Sequence, residues 1–303
     1  GTAWANQRAG KHIISTSIEH PSVYNPLGVL EELGFEVTIL PVDHDGHISL
    51  KELEEAIRPD TILVSTMYVN NEVGAVEPVE EISKIIKAKN PSTLYHVDAI
   101  QAYGKYVIRP KKQGIDLLSV SSHKIHGPKG VGFLYIRNGV KIKPLIYGGG
   151  QQAGLRSGTE NVPGVAGFGA AAKEMYTNHA EKIQKLIELK DYMTDRLGEI
   201  EGTVINSKKG EASAPQIVSV SFEGVRSEVL LHALEDKGVY VSSGSACSSN
   251  HPGISGTLKG IGVAQKLLDS TIRMSFGMFN TKEEVDYTID VLKELVPVLR
   301  RYQ

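Results

Sequence analysis

The stretch Asp116-Leu117-Leu118-Ser119-Val120-Ser121-Ser122-His123-Lys124-Ile125-His126-Gly127-Pro128-Lys129-Gly130 decides the fold class. It opens as a short apolar strand, gives way to polar and ionisable side chains, and ends in a turn built on Gly127, Pro128 and Gly130. The parallel sheets of α/β proteins bind ligands beyond the carboxyl ends of their strands, so an ionisable cluster here is expected to face a ligand. The same alternation recurs outward from this point. Apolar, β-branched runs at 11–17, 35–40, 61–67, 93–97, 116–121 and 130–136 are separated by segments of helical period, the pattern of βαβ units and a largely parallel sheet. Ser49 with Glu52 makes a capping box ahead of Leu53 and Ile57, and Pro78 suits the first turn of a helix reaching to about Lys89.

Beyond the run Gly148-Gly149-Gly150 and the segment Arg156-Ser157-Gly158-Thr159, helical period extends from about Val165 to Leu197 and predicts one long helix. The C-terminal third of the chain is of α+β type. Strands are expected at 203–205, 216–222, 239–241 and 271–275, a helix at 227–235, and a last helix opened by Thr281 with Glu284 as its capping-box partner. The expected division is a large α/β domain over 1–165, a connecting helix over 166–200 and a small domain over 201–303.

Composition bounds the function without naming it. A chain of 303 residues holds more than a mini-protein core. With 33 Lys and Arg against 35 Asp and Glu the net charge is −2, which supplies no global attraction to nucleic acid or to an acidic membrane. A single cysteine, Cys247, excludes a fold stapled by internal disulfides and points to a reducing, cytoplasmic setting. No apolar run is long enough to span a bilayer, and Gly1-Thr2-Ala3-Trp4 has neither an initiator Met nor the regions of a signal peptide.

Several strand ends carry chemistry. A lysine at the position of Lys124 could form a Schiff base with an aldehyde cofactor, or be one solvated lysine of a basic loop. Tyr95-His96-Val97-Asp98 ends the neighbouring strand in a carboxylate, suited to a protonated pyridine nitrogen or, alternatively, to capping the next turn. His20, after Ile18-Glu19, could lie over a cofactor ring and exchange protons, or be an exposed loop histidine. Asn70 and Asn71 offer amides to a cofactor oxygen or a carboxylate, or order a turn. Cys247 lies in the small-residue loop Ser242-Ser243-Gly244-Ser245-Ala246-Cys247, which suits a mobile nucleophile better than a buried structural thiol. Arg273, within an apolar strand, calls for an anion or a structural ion pair.

Taken in order, Thr16-Ser17-Ile18-Glu19-His20, Val69-Asn70-Asn71-Glu72-Val73-Gly74, His96-Val97-Asp98-Ala99-Ile100-Gln101, the Ser121 to Gly130 segment, Arg156-Ser157-Gly158-Thr159 and Ser242 to Cys247 resemble the cysteine desulfurases that use pyridoxal 5'-phosphate, in the group with a long cysteine loop. The resemblance covers nearly the whole chain. It implies a fold-type-I architecture, with a mixed, mostly parallel seven-stranded sheet in the large domain and a smaller α+β C-terminal domain. It implies that Lys124 holds the cofactor and shuttles protons, that Asp98 pairs with the pyridinium, that Gln101 bonds the ring hydroxyl and that His20 stacks on the ring. Ser121 and His123 would bind the phosphate, joined by Thr159 from the second subunit of a homodimer, while Asn71 and Arg273 would hold the carboxylate of L-cysteine. Cys247 would take the sulfur as a persulfide for an iron–sulfur scaffold or a tRNA-thiolating enzyme. Rival readings are a selenocysteine lyase-like enzyme and a silent module that docks sulfur acceptors. The resemblance also implies an upstream segment with a Thr-bearing Gly-rich turn, so the sequence is expected to begin inside a longer protein, and Met278 stands where the family often has Arg.

Overall fold

A computed structural model describes residues 1–243 and 255–302, and the chain divides into two compact units. The first comprises Gly1–Pro41, Ile48–Val69 and Glu77–Thr177. The second comprises Val42–His47, Asn70–Val76 and Asn178–Gln303, so it takes two short segments from the N-terminal half of the sequence.

In the first unit α1 (Thr2–Asn6), β1 (His12–Thr16), α2 (Pro21–Glu32), β2 (Glu36–Leu40), α3 (Leu50–Ala56), β3 (Thr61–Met67), α4 (Val79–Lys89), β4 (Leu94–Asp98), β5 (Leu117–Ser121), β6 (Gly132–Ile136) and α5 (Val162–Tyr176) follow one another. The strands form one sheet in the order β2-β1-β3-β4-β5-β6, parallel throughout except for β6, which runs antiparallel to β5. Every residue of β1 and β3 is buried, as continuous apolar runs covered on both faces require. Each apolar run read from the sequence became a strand. The seven strands implied by the resemblance are six among the described residues, with β6 at the edge and its Phe133 and Leu134 partly exposed. Ile13, Leu27, Phe35, Ile62, Leu94 and Leu117 close one core beside the sheet.

The expected single helix from about Val165 to Leu197 is instead two, α5 and α6 (His179–Leu197). Thr177 leaves α5 in an extended conformation and Asn178 takes the left-handed one, φ 50°, which Asn tolerates better than most residues.

The second unit continues with β7 (Thr203–Ile205), β8 (Ile217–Phe222), α7 (Ser227–Glu235), β9 (Ser242–Ser243), α8 (Gly256–Gly260), β10 (Thr271–Ser275) and α9 (Lys282–Leu299). Its sheet is antiparallel, in the order β7-β8-β10-β9. The strand expected at 239–241 lies slightly later, at β9, where pairing with Ile272 and Arg273 fixes it. Phe222, Leu230, Leu234, Ile272, Ile289 and Leu292 are fully buried in its main core. The capping box of Thr281 and Glu284 forms with both of its hydrogen bonds.

Candidate active site

The carboxyl ends of β1, β3, β4 and β5 collect the ionisable groups of the first unit. Asp98 ends β4 opposite Met67 and Ser119 and is 4 % exposed. Its Oδ1 accepts the Ile100 N–H at 2.9 Å, so the capping role and the site role coincide in one side chain. Burial pushes this carboxyl above the usual range, against the pull of that N–H and of the nearby His20 and Lys124. Asp98 therefore senses both His20 and Lys124 electrostatically. A cation placed against Asp98 would restore its charged form.

Lys124 sits in a one-turn 3-10 helix, Ser122–Ile125, directly after β5. The turn closes on His126 in the left-handed conformation, φ 64°. Gly127 follows because a Cβ there would collide with the Ser122 hydroxyl. Within the turn the Ser121 Oγ and His123 Nδ1 are 2.8 Å apart, so two polar groups expected to act together are in contact. Burial, then the charges of Lys124 and Lys129, lowers the His123 pKa and leaves an imidazole that can donate one hydrogen bond and accept another.

His20 caps α2, its Nδ1 accepting the Ser22 N–H at 3.1 Å and lying 2.8 Å from the Ser22 hydroxyl. Glu19 beside it ties β1 to β3. Its Oε1 accepts from Thr16 Oγ1 at 2.7 Å and from the Met67 N–H at 2.8 Å, while Oε2 is buried with no partner among the described residues. Burial pushes the Glu19 carboxyl up to about 8, so it is a neutral acid at pH 7. Beneath Asp98 on the same strand face, His96 bridges Ser65 and Ser119, each at 2.8 Å. Burial pushes its imidazole down to about 4, which keeps it uncharged.

In the second unit Arg273 on β10 donates through Nη1 to the Asn71 carbonyl at 2.7 Å and through Nη2 to Ser242 Oγ at 3.2 Å. Asn70 shapes the corner that carries Asn71, its Oδ1 accepting from the N–H groups of Glu72 at 2.8 Å and Val73 at 2.9 Å. The structure thus joins Asn71 to Arg273. Gln101 lies half-buried in the turn after β4. Thr159 is exposed on the segment ahead of α5, and no described contact links it to Ser121 or His123. Cys247 lies outside the described residues.

Sequence reasoning did not single out Lys105, and it named Ser242 only as part of the cysteine loop, not as a partner of Arg273. The signal for Lys105 is a lone charge inside Ala102-Tyr103-Gly104-Lys105-Tyr106-Val107-Ile108, and for Ser242 its register opposite Arg273.

Residues 2–288 match the family Aminotransferase class-V, and the chain belongs to that family. Similar proteins within it include named cysteine desulfurases. "Cysteine desulfurase IscS" of Dictyoglomus turgidum is 43 % identical over 301 residues, covering 99 % of this chain and 76 % of that protein. "Cysteine desulfurase IscS" of Methanosarcina thermophila is 45 % identical over 300 residues, covering 99 % and 74 %. A solved structure named "NIFS-LIKE PROTEIN" superposes with a TM-score of 0.92 at 40 % identity, covering 98 % of this chain and 78 % of that one.

Proposed function

We propose that this chain is a cysteine desulfurase dependent on pyridoxal 5'-phosphate, converting L-cysteine and its own thiol into L-alanine and a persulfide on Cys247. The observation that carries the reading is the buried Asp98 at the carboxyl end of β4, its carboxyl raised by burial and drawn back by the charges of His20, which follows β1, and Lys124, which follows β5. A carboxyl in that state is stabilised in its charged form by a protonated ring nitrogen, so the donor set fits this cofactor. When bound, pyridoxal phosphate draws electrons from the substrate Cα and makes its proton acidic.

The chain's own residues supply the rest. Lys124 anchors the cofactor aldehyde and moves the Cα proton, with His20 as its partner in proton exchange. Asp98 holds the pyridinium, and Gln101 orients the ring through its hydroxyl. Ser121 and His123 bind the phosphate, with Thr159 contributed by the partner subunit of a homodimer. Asn71 and Arg273 hold the substrate carboxylate, the guanidinium offering the planar donors that a carboxylate matches. The Cys247 thiolate attacks the substrate sulfur. The S–S bond forms as the Cβ–S bond breaks, the electron pair stays with Cβ, and protons delivered to the carbon skeleton yield alanine. The persulfide passes to an iron–sulfur scaffold or a tRNA-thiolating enzyme in the cytoplasm. Among the described residues no helix is long and apolar enough to cross a membrane.

The test is spectroscopic and chemical. The protein supplied with pyridoxal phosphate should turn yellow, and borohydride should fix the label on Lys124. Cys247→Ser should keep the colour and lose sulfide release from L-cysteine. A colourless Lys124-intact protein would sink the cofactor assignment, and undiminished sulfide release by Cys247→Ser would sink the persulfide step.

A further inference from the structure

Lys105 is the buried ionisable group next to Lys124 to which the reaction above gives no task. It lies in the turn after β4, and that turn is fixed from α5: the Gly104 N–H donates to the Tyr176 hydroxyl at 3.0 Å, and that hydroxyl donates to the Tyr106 carbonyl at 3.2 Å. Lys105 is 8 % exposed, and its Nζ donates to the backbone carbonyl of Lys124 at 2.9 Å. Among the described residues that carbonyl is its one hydrogen-bond acceptor, and the charge acting on it is that of Lys124. Burial, followed by that neighbouring charge, pushes its ammonium down to about 8, so it is still cationic at pH 7.

An ammonium withdrawn from water with no carboxylate beside it carries a desolvation cost that one carbonyl does not offset. A methionine would fill the same space without that cost. Holding a single carbonyl in place needs only a neutral donor. What a lysine adds is a fixed positive charge, directed at the turn that presents Lys124.

We infer that Lys105 is a positioning residue for Lys124, its buried ammonium fixing the carbonyl of the Lys124 turn and holding positive charge against the nitrogen that Lys124 offers to the cofactor. The inference rests on the reading of Lys124 as the cofactor lysine. Its consequence is that the proton on the cofactor–lysine linkage is lost at a lower pH than it would be without Lys105. The other titratable groups around the Lys124 turn are Asp98 on β4, whose negative form acts on Lys124 in the opposite sense to Lys105, and His20, His123 and Lys129, whose positive forms add to it. Tyr103 and Tyr176 are pushed up by burial and stay neutral through the titration.

The experiment is a pH titration of the visible absorption of the cofactor-loaded chain, in wild type and in Lys105→Met, Lys105→Gln and Lys105→Arg. Loss of the charge should raise the midpoint by about one pH unit, a roughly tenfold gain in proton affinity, in both Met and Gln variants. Arg should hold it within about 0.3 unit. Gln keeps a donor for the Lys124 carbonyl and covers the case in which Met does not fold. An unmoved midpoint in either folded uncharged variant overturns the inference, as does an equal rise in the Arg variant. Borohydride labelling of wild type is read separately: a label on another lysine removes the assignment of Lys124 itself, whereas a label on Lys124 with an unmoved midpoint removes only the role of Lys105.

Discussion

Two lysines are buried in this protein under nearly the same local circumstances, one in each unit. Lys105 donates to the Lys124 carbonyl at 2.9 Å, and Lys190, fully buried on α6, donates to the Ala214 carbonyl at 2.8 Å. Burial pushes both down to about 8. They differ in the charge nearby. Lys190 has Asp191 as its charged neighbour, and the carbonyl it holds belongs to a corner bound to the 70–76 segment, where the Ala214 N–H meets the Gly74 carbonyl at 2.8 Å. Lys105 has a second cation. One arrangement secures a fold at a tolerable electrostatic cost, whereas the other sets like charges side by side at a strand end where ligands are received.

The comparison can be broken or sharpened by variants of graded effect. Lys124→Ala should abolish the visible band and lower desulfuration about a thousandfold or more, measured as alanine formed, because on the proposed reading it removes both anchor and proton carrier. Arg273→Met should raise KM for L-cysteine by roughly 10- to 100-fold with a smaller change in kcat, since a bond to a charged group contributes about 1.5–3 kcal/mol. A kcat loss with KM unchanged would take Arg273 out of substrate binding.

Lys190→Met should lower Tm by roughly 2–6 °C through the donor lost to Ala214, while leaving the cofactor titration where it was. A shifted titration would erase the distinction between the two lysines. The same variant has a pH signature. The folded value of about 8 lies below the ordinary 10.5, so between them the unfolded chain binds the proton and the folded chain does not. Wild-type stability should accordingly rise with pH across that window, by at most about 1.4 kcal/mol per unit from this group, and the rise should vanish in Lys190→Met when unfolding by urea is compared at both ends of the window.

Glu19→Gln should have the smallest effect. Its carboxyl is held near 8 against an ordinary 4.5, so the folded state keeps a proton that the unfolded state has released. That stabilising difference is complete below about 4.5 and is lost as pH rises through about 8. The amide reproduces the acceptor at Oε1, so Tm at pH 7 should stay within about 2 °C and its decline between those limits should flatten. A large loss of stability at pH 7 would mean that Glu19 works as an anion.

Much of this was legible in the sequence because it is local. A β-branched run that stops at an ionisable residue marks a strand end, and Lys124 and Asp98 stand at two such ends. The break at Asn178 was not legible, since apolar period runs on through it and periodicity is blind to a single left-handed φ. Lys105 resembles any solvated lysine until the α5 end and the Lys124 turn enclose it, which is tertiary information. That Arg273 donates to a carbonyl 202 residues away and to a hydroxyl on the next strand was not legible either, because both contacts are made only by the tertiary fold.

That distance has a consequence for how the protein is made. Arg273, Leu258, Ile261 and Leu268 are synthesised long after Asn71, Val73 and Ala75, with which they share a contact or a core cluster. Until then Val73 and Ala75 lack these cluster partners. Closing so long a loop adds only slowly to the entropic cost, but it places the joining of Asn71 to Arg273 near the end of folding. The bond between Asn71 and Arg273 is thus a checkpoint on completeness: a chain stopped short of β10 has no Arg273 to make it.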